Sequence, residues 1–251
     1  MAPLTDTRID RTFTENGVLL QSAVKEEDSP FTTYLVSPYS KHIVRFAARR
    51  RWTPNAVSIV SLAIGLAAAA AFAAGSRAGL IAGAVLLQVS FTADCVDGQL
   101  ARYTGTSSRL GAYLDWMFDR MKEYVVYAGL AVGSVRGFDD DVWLLTAAAL
   151  ALQTYRHLTD FAYVASRPAL ATGAASYATA FGTSPASWVR TGNWLIRLPI
   201  GERLALISLT AAVWSPRVTF VALLVWGAVA AVYALTVRLL LRMRIARLAP
   251  K

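Results

Sequence analysis

One cysteine, Cys95, occurs in 251 residues. An internal disulfide is excluded, and so is a zinc site built on paired cysteines. Charge is sparse as well. Asp, Glu, Lys and Arg make up 16% of the chain, against about 25% in an average soluble domain. Residues 1–30 are polar and lack the apolar core of a signal peptide. Membrane insertion is therefore expected to begin at the first spanning helix. Lysine is rare too, with four lysines against 21 arginines. Together with abundant alanine, that bias fits a high-GC bacterial genome.

What the chain has instead is apolar length. Hydrophobic residues reach 55%, and mean hydropathy is +0.43. Several runs approach the roughly 20 residues that cross a hydrocarbon core as a helix. The expected fold is all-α, a polytopic membrane protein with six transmembrane helices. They fall at about 55–74, 79–101, 109–134, 141–166, 202–215 and 217–241. The fifth is short, and Pro216 nearly fuses it to the sixth. Residues 167–200 carry Gly173, Gly182, Pro185, Gly192 and Pro199, the composition of a long loop. Trp188, Trp194, Leu195 and Ile196 would dock part of it at the interface.

Ahead of the first span, Ser37-Pro38-Tyr39-Ser40 leads into a basic segment ending at Trp52. Ile43, Phe46 and Ala47 share one helical face there, among Lys41, Arg45 and Arg49 to Arg51. This reads as an amphipathic helix lying on the membrane surface. Thr53 can cap the next helix, and Pro54 suits its first turn. The expected organisation is a polar segment 1–36, an interfacial helix 37–52, a membrane domain 53–245 and a tail 246–251.

Net charge is +9. The basic residues are scattered between apolar segments, which argues against nucleic acid. An anionic membrane surface and anionic substrates account for them better. On one side the connections hold only Arg77, Arg136 and Arg217. The termini and the other loops hold most of the rest, including Arg238, Arg242, Arg244 and Arg247. Both termini are therefore expected in the cytoplasm of a bacterium, with the chain in its inner membrane. Gly75/Gly79/Gly83 and Gly129/Gly133 have the spacing of close helix packing, within one chain or between subunits.

Four acids interrupt the apolar pattern: Asp94, Asp97, Asp115 and Asp119. Each carboxylate deep in a bilayer costs roughly 2.5–3.5 kcal/mol on insertion scales. Spacings of three and four put each pair on one helical face. A loop of about seven residues, Tyr103 to Arg109, makes the two helices antiparallel neighbours, so the pairs can face each other. Four carboxylates carry −4, and two divalent cations carry +4. Mg2+ or Mn2+ suits such oxygen ligands. Two such ions can clamp the attacking and leaving oxygens at phosphorus. Gly98 and Gly111 leave room for a base or phosphate to approach the backbone. Ala101 keeps the path open, and Arg102 offers a planar cation to phosphate oxygens.

The full pattern runs Asp94-x-x-Asp97-Gly98-x-x-Ala101-Arg102, eight residues, then Gly111-x-x-x-Asp115-x-x-x-Asp119. It resembles the signature of the CDP-alcohol phosphotransferase family at every fixed position, and the six-span layout resembles that family over about residues 37–245. The resemblance implies that Asp94, Asp97 and Asp115 hold metal. It implies that Asp119 lies beside the metals and serves as general base. It places Asp97, Gly98, Ala101, Arg102 and Gly111 around a cytidine diphosphate. It implies transfer of a phospho-alcohol group to an acceptor hydroxyl with release of CMP, and a homodimer. The donor implied is CDP-diacylglycerol, giving a phospholipid of the phosphatidylinositol-phosphate type, or a soluble CDP-polyol such as CDP-inositol. Cytidine comes from the resemblance alone.

Other readings stay open on the residues themselves. Intramembrane acids also line proton and cation pathways, so a transporter is the alternative of a different class. Cys95 reads as a packing residue. Glu123 continues the Asp115/Asp119 face and can pair with Arg120 or Lys122. Arg156 and Asp160 have the spacing of a helical ion pair. Alternatively, Arg156 and His157, with Arg167 and Arg190, bind a phosphate or hydroxyls of the acceptor.

Overall fold

The computed structural model describes residues 30–165 and 196–248. The proposed N-terminal segment before residue 30 lies outside that range. So do Arg167, Arg190, Trp188, Trp194, Leu195 and most of the loop read over 167–200. Among the described residues the chain forms seven α-helices and no strand. They are α1 (Ser37–Arg49), α2 (Pro54–Ala73), α3 (Arg77–Thr104), α4 (Arg109–Phe138), α5 (Trp143–Ala165), α6 (Ile200–Val213) and α7 (Pro216–Leu248). A π-helical turn, Thr32–Val36, runs straight into α1.

Local chemistry explains the boundaries. Thr53 accepts a hydrogen bond from the Ala56 N–H at 3.3 Å and caps α2, whose first residue is Pro54. Ser76 caps α3 through the Gly79 N–H, and Ser108 caps α4 through the Gly111 N–H, each at 3.0 Å. Asp141 accepts from the Trp143 N–H at 3.0 Å where α5 begins. Such caps each contribute about 1 kcal/mol. Helix α3 continues through Thr104 and stops at Gly105, whose φ of 66° is left-handed. The connection to α4 is therefore four residues, 105–108, shorter than the seven-residue loop expected from sequence.

Helices α2, α3 and residues 216–240 of α7 are long and apolar enough to cross a membrane. Helices α4 and α5 carry internal charges, and α6 has 14 residues. At 1.5 Å per residue α6 is about 21 Å long, short of a hydrocarbon core of about 30 Å. The main core joins Phe72 of α2, Leu80 and Leu87 of α3, Tyr127 and Leu130 of α4, Ile207 of α6 and Phe220 of α7. Tyr127 meets Phe220 edge to face, with ring centroids 5.8 Å apart. A smaller cluster docks α1. Val44 and Ala47 pack on Val57, Val96 and Leu100. Ile43 and Phe46 remain exposed, with Tyr39 beside them. Ala47 thus faces the protein, a correction to the single apolar face read from the sequence. The tighter apolar stripe serves docking, and the aromatic stripe is left outside.

The glycine spacing is used inside the chain. Gly129, Gly133 and Gly137 of α4 lie on the backbone of Ala69, Phe72 and Gly75. A Cβ at any of the three would collide with a carbonyl oxygen. Gly83 of α3 makes room for the Phe72 ring, which would lie 2.6 Å from a Cβ there. The Gly129 and Gly133 contacts hold α4 against α2 and so set the height of Asp115 and Asp119. Gly133→Ala is expected to lower stability by about 1–3 kcal/mol through overpacking. Thermal unfolding in detergent measures it, and a wild-type melting curve would contradict the close approach.

At the end of the bundle far from the acids, the sparse arginines act as fasteners. Arg77 donates to the carbonyls of Val213 and Trp214, at 2.5 and 2.7 Å, where α6 ends. Arg217 grips the Asp140 carboxylate through Nε at 2.8 and 2.9 Å and through Nη2. These hydrogen bonds hold the Asp140 carboxyl below its ordinary pKa.

Candidate active site

Helices α2, α3 and α4 bring the acids together. One carboxylate oxygen each from Asp94, Asp97 and Asp115 lies within 4.8 Å of the others. The cap and glycine contacts fix the register of these helices. Side chains of α2 then orient the carboxylates of α3. Ser58 donates to Asp97 Oδ2 at 2.5 Å. Ser61 donates to the Ser90 carbonyl at 2.9 Å, and Ser90 donates back to the Ser61 carbonyl at 2.7 Å. That reciprocal pair locks α2 to α3 beneath the cluster. Ser61 also reaches Asp94 Oδ1 at 3.4 Å. The donor set is oxygen only, closely spaced and anionic, which fits hard divalent cations.

Asp119 stands outside the group of three. Its Oδ1 lies 3.1 Å from the Lys122 ammonium, which also contacts Asp94 Oδ1 at 2.5 Å. Lys122 therefore bridges the two acid-bearing helices. Gly98 leaves a hollow along which the Arg102 guanidinium folds. A Cβ at Gly98 would lie 3.3 Å from Arg102 Nη1. Gly111 faces Asn55 Oδ1 and its own cap Ser108. Ala101 is half-buried and Arg102 exposed.

Glu123, one turn beyond Asp119, sits in a second polar cluster. It meets Arg120 at 3.1 Å, Arg203 of α6 at 3.0 Å and His157 Nε2 at 3.3 Å. Of the two partners expected for it, Arg120 is the one it takes, and Lys122 turns to the aspartates. Arg156 does not bond Asp160. It donates instead to Gln153 Oε1 at 3.1 Å and to the carbonyls of Arg197 and Leu198, at 2.5 and 3.4 Å. Asp160 pairs with Arg238 across the α5–α7 contact. A partner on a packed neighbour replaces the weak helical pair. Cys95 packs against the main core.

Ser58, Ser61 and Arg203 were not singled out by sequence reasoning, and Lys122 was read only as a partner for Glu123. A signal existed for the serines, because Ser58 and Ser61 put two hydroxyls on one face of an otherwise apolar span. Arg203 gave none, because its partner is 80 positions away in sequence.

A model of the CDP-alcohol phosphatidyltransferase family matches residues 51–240. The chain belongs to that family. Over 112 residues it is 30% identical to a phosphatidylinositol phosphate synthase of Streptomyces avermitilis, covering 45% of this chain and 43% of that protein. Over 93 residues it is 37% identical to an archaetidylinositol phosphate synthase of Aeropyrum pernix, covering 37% and 46%. The chain thus spans less than half the length of these curated relatives. The fold is shared with Mycobacterium tuberculosis phosphatidylinositol phosphate synthase, solved with CDP-DAG bound. That match has a TM-score of 0.54 at 23% identity and covers 80% of this chain and 92% of the other. A second structure of that protein, in complex with manganese and citrate, gives a TM-score of 0.52 at 22% identity and covers 80% and 87%.

Proposed function

We propose that this protein transfers a phosphatidyl group from a CDP-alcohol, with CDP-diacylglycerol as donor, to a hydroxyl of a polyol phosphate, releasing CMP. The observation that carries the reading is the gathering of Asp94, Asp97 and Asp115 within 4.8 Å inside the family signature. A cation pathway calls for acids strung across the membrane, whereas these are collected at one level.

Asp94, Asp97 and Asp115 would hold two divalent cations, Mg2+ or Mn2+, with Asp119 beside them. When bound, the cations neutralise the diphosphate and the charge that develops at phosphorus. Ser58 keeps Asp97 oriented, so the cluster is shaped before ligand arrives. Asp97, Gly98, Ala101, Arg102 and Gly111 line the nucleotide path, with Arg102 swinging from its Gly98 hollow to the phosphates. Asp119 accepts the proton from the acceptor hydroxyl. Arg156, next to Arg120 and Arg203, offers cationic surroundings to an acceptor phosphate, and His157 a neutral ring nitrogen for a hydrogen bond to the acceptor. Arg167, from outside the described residues, joins them in this reading.

The same reading puts six helices across a bacterial inner membrane, both termini and the site on the cytoplasmic side, and two copies in a dimer. The exposed Tyr39, Ile43 and Phe46 of α1 would rest in the lipid surface, with Lys41 and Arg45 at headgroup level.

The test is CMP release by purified protein given CDP-diacylglycerol and inositol phosphate, with CDP-inositol as rival donor. EDTA is expected to stop turnover, and added Mg2+ or Mn2+ to restore it. Turnover that survives EDTA would refute the metal-dependent mechanism. CMP from CDP-inositol alone would transfer the assignment to a soluble donor.

A further inference from the structure

Lys122 places a fixed positive charge inside the carboxylate cluster. It occupies no position of the family signature and takes no part in the proposed transfer. Its ammonium lies 2.5 Å from Asp94 Oδ1, 3.1 Å from Asp119 Oδ1 and 3.2 Å from Ser61 Oγ. The residue is 5% exposed. Lysine is almost never this buried without charged partners.

A second helix is shaped around it. Gly65 of α2 faces the lysine stem, and a Cβ there would lie 2.8 Å from Lys122 Cγ and 3.0 Å from Cδ. The absence of a side chain at residue 65 thus opens the path by which residue 122 reaches the acids. Ser61, one turn earlier on α2, receives the ammonium at the end of that path.

We infer that Lys122 is a positioning residue, a built-in counter-cation that holds Asp94 and Asp119 in place and weakens divalent-cation binding at the cluster. The inference rests on the phosphotransferase reading for its catalytic half only. Four carboxylates carry −4, and the ammonium reduces this to −3. A divalent cation arriving at Asp94 meets a like charge already hydrogen-bonded there. At contact distances in a partly buried site, one unit charge changes affinity by about tenfold or more. Cations then bind loosely enough to exchange, and the cluster is partly neutralised before they arrive. Lys122 also restrains Asp119, tethering its carboxylate beside Asp94.

Manganese titration followed by electron paramagnetic resonance tests this, with CMP release measured in parallel. In Lys122→Met the Kd for Mn2+ is expected to fall about tenfold or more, while turnover at saturating Mn2+ falls. Mn2+ affinity and turnover thus move in opposite directions. A merely structural lysine would weaken both or leave both alone. Unchanged or weaker Mn2+ binding by a folded Lys122→Met protein overturns the inference. If that variant does not fold, Gly65→Ala decides, since it keeps the charge but pushes the stem from its path. Its Mn2+ affinity should rise by a smaller factor, and an unchanged Kd overturns the inference equally. Should the wild type release no CMP while Mn2+ binding still tightens in Lys122→Met, the transferase reading fails and the charge role stands.

Discussion

Asp119→Asn is expected to stop CMP release while leaving the fold intact. The loss should be roughly a hundred- to ten-thousand-fold, the range contributed by a positioned general base. The argument begins with placement. Asp94, Asp97 and Asp115 form a close group, and Asp119 stands one helical turn from Asp115 outside it. A carboxylate beside the group rather than within it is not committed to a metal and can take a proton. The change to asparagine is nearly isosteric, and its amide oxygen can still lie beside the Lys122 ammonium, which is 3.1 Å from Asp119 Oδ1. Mn2+ binding by the other three acids should therefore persist. Steady-state CMP assays and Mn2+ titration on the same sample separate the roles. Normal turnover in the variant would remove Asp119 as the base. Loss of Mn2+ binding together with turnover would make it a metal ligand instead.

The parts of this site that were legible in the sequence are those written at helical spacing. Asp94 and Asp97 lie three apart and Asp115 and Asp119 four apart, so periodicity alone puts each pair on a face. A short polar connection between two apolar runs makes their helices neighbours. The caps Thr53 and Ser108 were of the same local kind, although only Thr53 was read. What could not be read is set by packing across long separations. Arg203 reaches Glu123, and Arg238 takes Asp160 from Arg156, because α6 and α7 return to α4 and α5 after a long excursion. Gly129 and Gly133 showed that something came close, but their spacing cannot name a partner. The carbonyls of Ala69 and Phe72 do. Lys122 looked like one more charge on α4. Its meaning depends on Gly65, on another helix.

Glu123→Ala is expected to be the most destabilising single change in the second polar cluster. Glu123 is 4% exposed and contacts Arg120, Arg203 and His157. Arg203 is 3% exposed. Removing the carboxylate leaves two guanidiniums facing each other without the anion that brought them together. Breaking a buried ion pair from one side costs about 3–5 kcal/mol, because the surviving charge stays desolvated. Arg203 comes from α6, so the loss should also loosen α6 from α4. Thermal unfolding of purified variants measures the effect. A double change, Glu123→Gln with Arg203→Gln, should cost clearly less than the sum of the two single changes, because residues in contact are coupled. Additive losses would mean that Glu123 and Arg203 act independently, and that the cluster does not join α6 to the helix bearing Asp119.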